Sequence, residues 1–348
     1  ALAPAFASVP FWRPAVALLG AVTMLVGGWR ALRQNDLKLL LAYGTVSQLG
    51  SLVLRSGFGT KAAALAGIAM LVGHALFKST LFLVVGVIDH STGTRDLTQL
   101  TGLARSLPVV AVIGGLAAAS MAGLPPMLGF IAKESALESL TYLVTYSGDG
   151  TGLTPMLAVC LLAAVVAGSV LTVAYSLRWW WGAFATKPDV EAPHLHRPSL
   201  GFLLAPALLG LACLVGGFLG APLTGLIETY ADTFELGHES HGLALWHGVT
   251  TPLLLSLLAI ALGATLFWQR DAIASVQATF PVVKGADEFY NDAIRKLDIL
   301  AVEVTARTQR GSLASYTSIV LAVVVVLIFF VQAIQSLGDW AVRRLSHR

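Results

Sequence analysis

Long apolar runs separated by short polar stretches constrain this chain more than any other feature of its sequence. They lie near 14–29, 38–54, 62–88, 108–146, 155–177, 200–220, 249–268 and 313–337. A helix needs about 20 apolar residues to cross a hydrocarbon core of roughly 30 Å, because unsatisfied backbone groups are costly in lipid. Only 12% of the 348 residues are charged. The sequence therefore predicts an all-α polytopic membrane protein with about eight transmembrane helices.

The segment 108–146 is too long for one straight crossing. Gly123, Pro125, Pro126 and Gly129 interrupt it, and a proline removes a backbone donor and disfavours helical geometry in the preceding residue. The segment is either two crossings or one broken helix. One broken crossing places 14 lysines and arginines in the loops of one side and 6 in those of the other, whereas two crossings give 12 and 8. Basic residues accumulate on the cytoplasmic side, so the charge distribution favours one broken helix.

Residues 287–310, between the last two apolar runs, predict a further helix of a different kind. Its apolar residues alternate at steps of four and three, which places them on one stripe: Tyr290, Ile294, Leu297, Ala301 and Val304. Charged residues occupy mostly the other faces. We expect an amphipathic helix along the membrane surface, and an ordinary solvated linker helix is the alternative.

Ionisable residues deep inside the apolar runs are few, and each is a functional hypothesis because a charge at the bilayer centre costs about 2.5–3.5 kcal/mol on insertion scales. His74 and Lys78 are four residues apart and share one helix face. Lys133 follows the break, where a half-helix end can hold an ion, and Glu134 could supply a counter-charge. We predict a proton pathway through these four residues. The alternatives are lysines that extend to the interface and a histidine that is only part of the core.

Other polar residues in the same spans could line this pathway. They are Tyr43, Thr45, Ser47, Gln48, Ser79 and Thr80. Trp179, Trp180 and Trp181 are typical of the aromatic belt at the end of a span.

Several other functions are disfavoured by the sequence. His238, His241 and His247 match no strong metal-ligand spacing, so we expect no metal site. No nucleotide-binding signature is present, and we expect no cofactor. The net charge of +3 is too balanced for a nucleic-acid surface.

Three stretches carry a resemblance to a known family. Gln34-Asn35-Asp36-Leu37-Lys38 leads into LLLAYGTVSQLG, and GHALFKSTLFLVVGVIDHSTGTRDL and SMAGLPPMLGFIAKE follow in that order. They resemble the antiporter-like membrane subunits shared by proton-pumping NADH dehydrogenase (complex I) and Mrp-type multisubunit cation/proton antiporters. The wording IDHSTGTRD and MAGLPP is more similar to the large Mrp subunit.

The resemblance implies a fold and roles for individual residues. The family has two inverted five-helix repeats, each with a broken helix and a buried lysine. Residues 1–182 would be the second repeat and 183–348 the C-terminal helices with the surface helix. Lys78 matches the central lysine, His74 the relay histidine and Lys133 the lysine at the break.

This sequence also departs from the family pattern. The first repeat has no counterpart here, so we expect an internal fragment that does not transport alone. Met70 stands where some complex I relatives carry a further histidine.

The resemblance implies that the chain is not an enzyme but part of a transporter. It would move protons in a complex with other membrane subunits that exchanges them for Na+ or a similar monovalent cation, in the bilayer of the bacterial plasma (inner) membrane. One alternative is a proton-pumping subunit of a complex I type assembly. Another is a membrane scaffold without its own ion path.

Overall fold

A computed structural model describes residues 6, 9, 11–145, 153–193, 195–234, 242–279, 286–308 and 311–346. The described part of the chain is helical almost throughout and contains no strand, and a single isolated bridge joins Asp36 to Asp96. The chain forms two compact units, Ala1–Thr279 and Phe280–Arg348. The division into residues 1–182 and 183–348 remains a prediction.

The first unit contains eleven of the described helices. They are α1 (Trp12–Leu32), α2 (Leu37–Ser56), α3 (Lys61–Thr92), α4 (Leu103–Ser106), α5 (Pro108–Ala122), α6 (Leu128–Thr145), α7 (Pro155–Phe184), α8 (Leu200–Phe218), α9 (Gly220–Ala231), α10 (Thr251–Trp268) and α11 (Arg270–Thr279). Seven helices of the described chain are long and apolar enough to cross a membrane: α1, α2, α3, α7, α8, α10 and the last helix of the second unit. The prediction of a polytopic membrane protein is confirmed.

Helices α5 and α6 are the two halves of the predicted broken helix. Gly102, just before α4, donates its N–H to the carbonyl of Ala185, which follows the end of α7. Thr141 and Thr145 of α6 lie in one cavity with Thr250 and Thr251 at the start of α10. The end of α10 lies next to the end of α7, so the start of α10 is at the opposite end of the bundle. The segment therefore enters α5 at the end of α7 and leaves α6 at the start of α10, and its two halves together make one crossing.

The break itself depends on two glycines. Gly123 ends α5 with a φ of 81°, a left-handed conformation that glycine adopts without steric cost. A Cβ atom at Gly129 would lie 1.8 Å from the carbonyl oxygen of Ser120. Only glycine therefore allows the start of α6 to pack directly against the backbone of α5.

Glycines also bring α1 and α2 together along their length. A Cβ atom at Gly20 would lie 2.4 Å from the backbone nitrogen of Leu54, and one at Gly27 would lie 2.6 Å from that of Ser47. Gly50 approaches the backbone nitrogen of Met24 in the same way. Small residues usually join helices in lipid by close approach of this kind, because lipid tails provide no hydrophobic driving force for helix association.

The second unit consists of two described helices, α12 (Ala286–Thr308) and α13 (Leu313–Ser346). The helix predicted over 287–310 is present over all but its last two positions, and 309–310 lie outside the described residues. Its place on the membrane surface remains a prediction. An 18-residue stretch within Leu313–Trp340 of α13 has a mean hydropathy of 2.8, the highest value for the candidate spans among the described residues.

Two interpretations of basic and aromatic residues need correction. Arg13 and Arg55 count as loop residues in the charge distribution, but they lie in α1 and α2 and are only 5% and 3% exposed. Of the three tryptophans, Trp179 is completely buried in the core and only Trp181 is largely exposed, at 48%. The spans extend further than hydropathy alone indicates, and helical rotation turns consecutive tryptophans to different faces.

Candidate functional site

Lys78 lies near the middle of α3 and is 5% exposed. Its Nζ donates a hydrogen bond of 2.9 Å to the carbonyl oxygen of Leu41 in α2 and lies 6.0 Å from the ring centre of Tyr175 in α7. Gly44 makes room for this side chain, because a Cβ atom there would lie 2.9 Å from Nζ. Three helices therefore enclose the ammonium group in the first unit.

Polar side chains of α2 and α7 continue from Lys78. Gln48 donates from its amide nitrogen to the hydroxyl oxygens of Thr172 and Tyr175, at 3.2 and 3.3 Å. Thr172 donates to the carbonyl of Gly168. These groups are buried and bonded to one another. They place hydroxyl and amide groups inside the membrane, next to an ammonium group or to a proton carried by water.

His74 lies one helical turn before Lys78 on α3 and is 8% exposed. Its ring packs edge-on against Phe77, with 5.5 Å between ring centres. Its Nε2 atom has no hydrogen-bond partner among the described residues. A buried histidine nitrogen without a partner is uncommon, and it is a ready acceptor or donor for a proton. The adjacent Gly73 faces Leu128 at the start of α6, so this turn of α3 lies against the start of α6.

Lys133 lies in α6, just after the break. Its Nζ donates a hydrogen bond of 2.8 Å to the carbonyl oxygen of Ala122, the last residue of α5. Gly123 has a second role here, because a Cβ atom would lie 2.6 Å from Cδ of Lys133. None of the described carboxylates forms an ion pair with Lys78 or Lys133.

Glu134 borders a cavity of about 430 Å³ between α6 and the segment that leads into α10. It is 4% exposed, and its Oε2 atom has no hydrogen-bond partner in the described part of the chain. Eight of the nine residues that border the cavity have polar side chains: they are Glu134, Glu138, Thr141, Tyr142, Thr145, His247, Thr250 and Thr251, and the ninth is Pro252. Glu138 and His247 are close enough for their charges to act on Glu134.

Three of the remaining predicted path residues lie on α2, and each has a different partner. Thr45 donates from Oγ1 to the carbonyl of Leu41, the same oxygen that accepts from Lys78, at 2.9 Å. Ser47 donates to the carbonyl of Met24 and joins α2 to α1. Tyr43 stacks under the guanidinium of Arg30, with 5.4 Å to the ring centre.

Two of the predicted path residues point away from Lys78. Ser79 is exposed. Thr80 is fully buried, but it lies near Gly210 of α8 and donates to the carbonyl of Leu76.

Sequence reasoning missed the contribution of α7. The signal was present, since Thr172 and Ser176 are four residues apart and flank Tyr175 in an otherwise apolar run. It also missed His247, which borders the cavity beside Glu134.

No cluster of metal-ligating side chains occurs within the described ranges. His238 and His241 lie outside the described residues.

The helices, the break and the two buried lysines agree with the resemblance to antiporter-like membrane subunits, and comparison with known proteins supports it. Residues 1–158 match the family model described as NADH:quinone oxidoreductase/Mrp antiporter, transmembrane. Residues 1–158 of the chain belong to this family, and the resemblance inferred from the three stretches is confirmed.

Individual relatives point in the same direction. The chain is 32% identical to a Na(+)/H(+) antiporter subunit of Bacillus subtilis (strain 168), over 93% of this chain and 43% of the relative. It is 35% identical to a probable K(+)/H(+) antiporter subunit of Rhizobium meliloti (strain 1021), over 81% of this chain and 28% of the relative. The Mrp complex of Dietzia sp. DQ12-45-1b contains a chain with 34% identity and a TM-score of 0.78, with coverage of 93% of this chain and 34% of that one. The chain thus spans less than half of the length of these relatives.

Proposed function

We propose that this chain carries protons within a multisubunit antiporter of the bacterial plasma membrane that exchanges protons for Na+ or a similar monovalent cation. One observation supports this above all others. Lys78 and Lys133 lie inside the membrane region, and each ammonium group has a single backbone carbonyl as its hydrogen-bond partner among the described residues.

The nature of these partners matters for proton transfer. A lysine with a structural role inside a membrane is expected to be paired with a carboxylate, and loss of its proton would then leave an uncompensated buried charge. A carbonyl oxygen is neutral. Loss of the proton from Lys78 or Lys133 leaves no unpaired anion behind, so each lysine can change its charge at a smaller electrostatic cost.

The order of groups along α3 supports a route. Lys78 contacts α2 and α7, His74 follows one turn away, and the neighbouring Gly73 faces the start of α6, which bears Lys133. In this proposal protons pass among these groups by side-chain movement and intervening water.

The polar cavity beside Glu134 supports an end point for the route. Glu134 follows Lys133 directly and is buried, and residues with hydroxyl, carboxyl and imidazole groups border the cavity. In this proposal Glu134 exchanges protons between Lys133 and the surface at the start of α10.

The names of the relatives support the rest of the proposal. They are subunits of cation/proton antiporters, so the chain acts in transport with other membrane subunits as partners, and not as an enzyme by itself. Na+ and K+ both occur in these names. The family description also includes NADH:quinone oxidoreductase, which makes a redox-driven proton pump the second candidate.

The proposal is tested in inverted membrane vesicles that contain the full native complex. Proton movement is followed by dye quenching after separate additions of Na+, K+ and NADH. We expect a cation-triggered pH change that falls about 100-fold or more in Lys78→Ala and Lys133→Ala, since a positioned proton-transfer group contributes factors of that order.

The matched control is Lys61→Ala. Lys61 begins the same helix as Lys78, but it is partly exposed and forms an ion pair of 2.6 Å with Asp232. The Lys61→Ala complex should transport protons at the wild-type rate. A response to NADH alone would favour the redox-driven pump. Normal transport by assembled Lys78→Ala and Lys133→Ala complexes would overturn the proposal and leave a scaffold role.

A further inference from the structure

Two adjoining cavities lie where α1, α7 and α10 end, away from the lysines of the proposed proton route. Their volumes are about 250 and 390 Å³, and both are bordered by Asn35, Arg178, Phe267 and Arg270. Arg33 borders the first cavity and Lys187 the second. Four basic residues from four separate segments therefore border these two adjoining cavities.

The arginines that border the cavities have donor groups without a hydrogen-bond partner among the described residues. Arg178 donates from Nε and Nη2 to the carbonyl of Gln34 and from Nη2 to Oδ1 of Asn35, at 2.8 Å. These bonds fix the guanidinium and leave its Nη1 group unbonded among the described residues. The guanidinium of Arg270 lies 5.3 Å from the ring centre of Phe267, which holds it beside the cavities.

The positive charge at this place is not neutralised by the described carboxylates. None of them forms an ion pair with Arg33, Arg178 or Arg270. Asp271 and Asp96 act on Arg178 and Lys187 from a greater distance, and neither borders a cavity.

Lys187, outside the membrane-spanning helices, reports the same excess of positive charge. Burial and the positive charge of Arg178 lower the pKa of Lys187. Its ammonium group donates to the carbonyl oxygens of Leu97, Leu100 and Gly182. It therefore contributes charge to the second cavity but has no free donor.

Apart from Thr98 and Gln277, the other residues that border the cavities are apolar or aromatic or are glycine, as expected at the level where lipid headgroups meet acyl chains. Leu266, Ile273 and Ala274 border the first cavity, and Trp181 borders the second. Trp268, at the end of α10, is 83% exposed. Exposed tryptophans at the ends of spans mark the membrane interface. The short helix α11 is joined to α1 by a hydrogen bond from Gln277 to the carbonyl of Trp29.

We propose that these cavities bind the phosphodiester of an anionic phospholipid, with the phosphate between Arg33, Arg178 and Arg270 and an acyl chain along Leu266 and Ile273. Guanidinium groups bind phosphate oxygens in a bidentate manner. The apolar wall distinguishes a lipid from a free phosphate ion. The charge distribution places this end of the helices on the cytoplasmic side, where basic pockets between transmembrane helices bind anionic headgroups.

The test uses the full native complex, purified in detergent, with bound lipid measured by native mass spectrometry. Cardiolipin, phosphatidylglycerol, phosphatidylcholine and inorganic phosphate are added separately. We expect retention of cardiolipin or phosphatidylglycerol, with affinity lowered about fivefold in Arg270→Gln and about 25-fold in Arg33→Gln/Arg270→Gln, because each basic residue near the surface contributes about 1 kcal/mol.

Two further variants serve as controls. Arg270→Lys keeps the charge and should retain most of the binding, whereas Arg105→Gln removes an exposed arginine that borders neither cavity and should bind as the wild type does. Unchanged lipid retention by the assembled double variant would overturn the proposal. Equal retention of phosphatidylcholine, or displacement of the lipid by inorganic phosphate, would also overturn it.

Discussion

Lys78 on the continuous helix α3 and Lys133 after the break show two ways to hold a cation inside a membrane protein. Both donate one hydrogen bond to a backbone carbonyl, at 2.9 and 2.8 Å. The carbonyl of Leu41 lies within α2 and already accepts from Thr45. The carbonyl of Ala122 belongs to the last turn of α5, where carbonyls have no partner in their own helix.

Because of this difference, the two lysines should contribute unequally to the stability of the fold. Lys133 fills a vacant acceptor at the negative end of a helix dipole, so its ammonium group stabilises the break. Lys78 adds a second or third bond to an acceptor that is satisfied without it. We infer that Lys133 combines a structural and a transport role, whereas the structure of the fold depends little on Lys78.

The largest effect is expected from Gly129→Ala, which attacks the break directly. A Cβ atom would lie 1.8 Å from the carbonyl of Ser120, and overpacking of this kind costs about 1–3 kcal/mol or more. The assembled complex should unfold at a clearly lower temperature. Gly86→Ala on α3 is the control, since no atom lies within 4 Å of its Cβ position. A Gly129→Ala complex as stable as Gly86→Ala would contradict the described packing of α5 against α6.

A smaller effect should separate the two lysines. Methionine keeps most of the lysine stem and removes the ammonium group. Lys133→Met leaves the Ala122 carbonyl without this partner and should destabilise the complex by about 1–3 kcal/mol, whereas Lys78→Met should cost less than about 1 kcal/mol. Thermal unfolding of the two assembled complexes measures the difference. Equal losses would show that the structural distinction between the two sites is wrong.

The smallest effect is expected from Tyr175→Phe. This change removes the hydroxyl that accepts from Gln48 at 3.3 Å and keeps the ring near Lys78. The net contribution of such a bond is about 0.5–1.5 kcal/mol, so transport should fall only a few-fold. Initial rates of cation-dependent proton movement are suitable for this comparison. A loss as large as that of Lys78→Ala would give the hydroxyl an essential part in the route.

The sequence predicted the spans, the break and the two buried lysines because each is written in a short stretch of chain. Long apolar runs predict crossings, and Pro125 and Pro126 mark the break. The side chains of α7 near Lys78 and Gln48 were not predictable in this way. Tyr175 and Thr172 come from a helix about one hundred residues further along the chain, and periodicity indicates which face of a helix is buried but not which helix covers it.

The same limit explains the errors. Trp179 was expected at an interface and is completely buried, because α5 and the end of α7 pack against each other there. Arg55 was counted in a loop, although helix α2 continues past it to Ser56. Hydropathy falls at a basic residue, but the helical backbone need not end there.

The glycine contacts between α1 and α2 bear on how fast this protein can work. Separation of these helices would remove three close backbone contacts at once, at Gly20, Gly27 and Gly50. Helix α2, which bears Leu41 and Gln48, is therefore held firmly against α1. Displacements of whole helices take microseconds to milliseconds, whereas side-chain rotations take picoseconds to nanoseconds. We therefore expect a proton to pass Lys78 on the picosecond-to-nanosecond timescale of side-chain rotation. Slower steps of transport would then occur elsewhere in the complex.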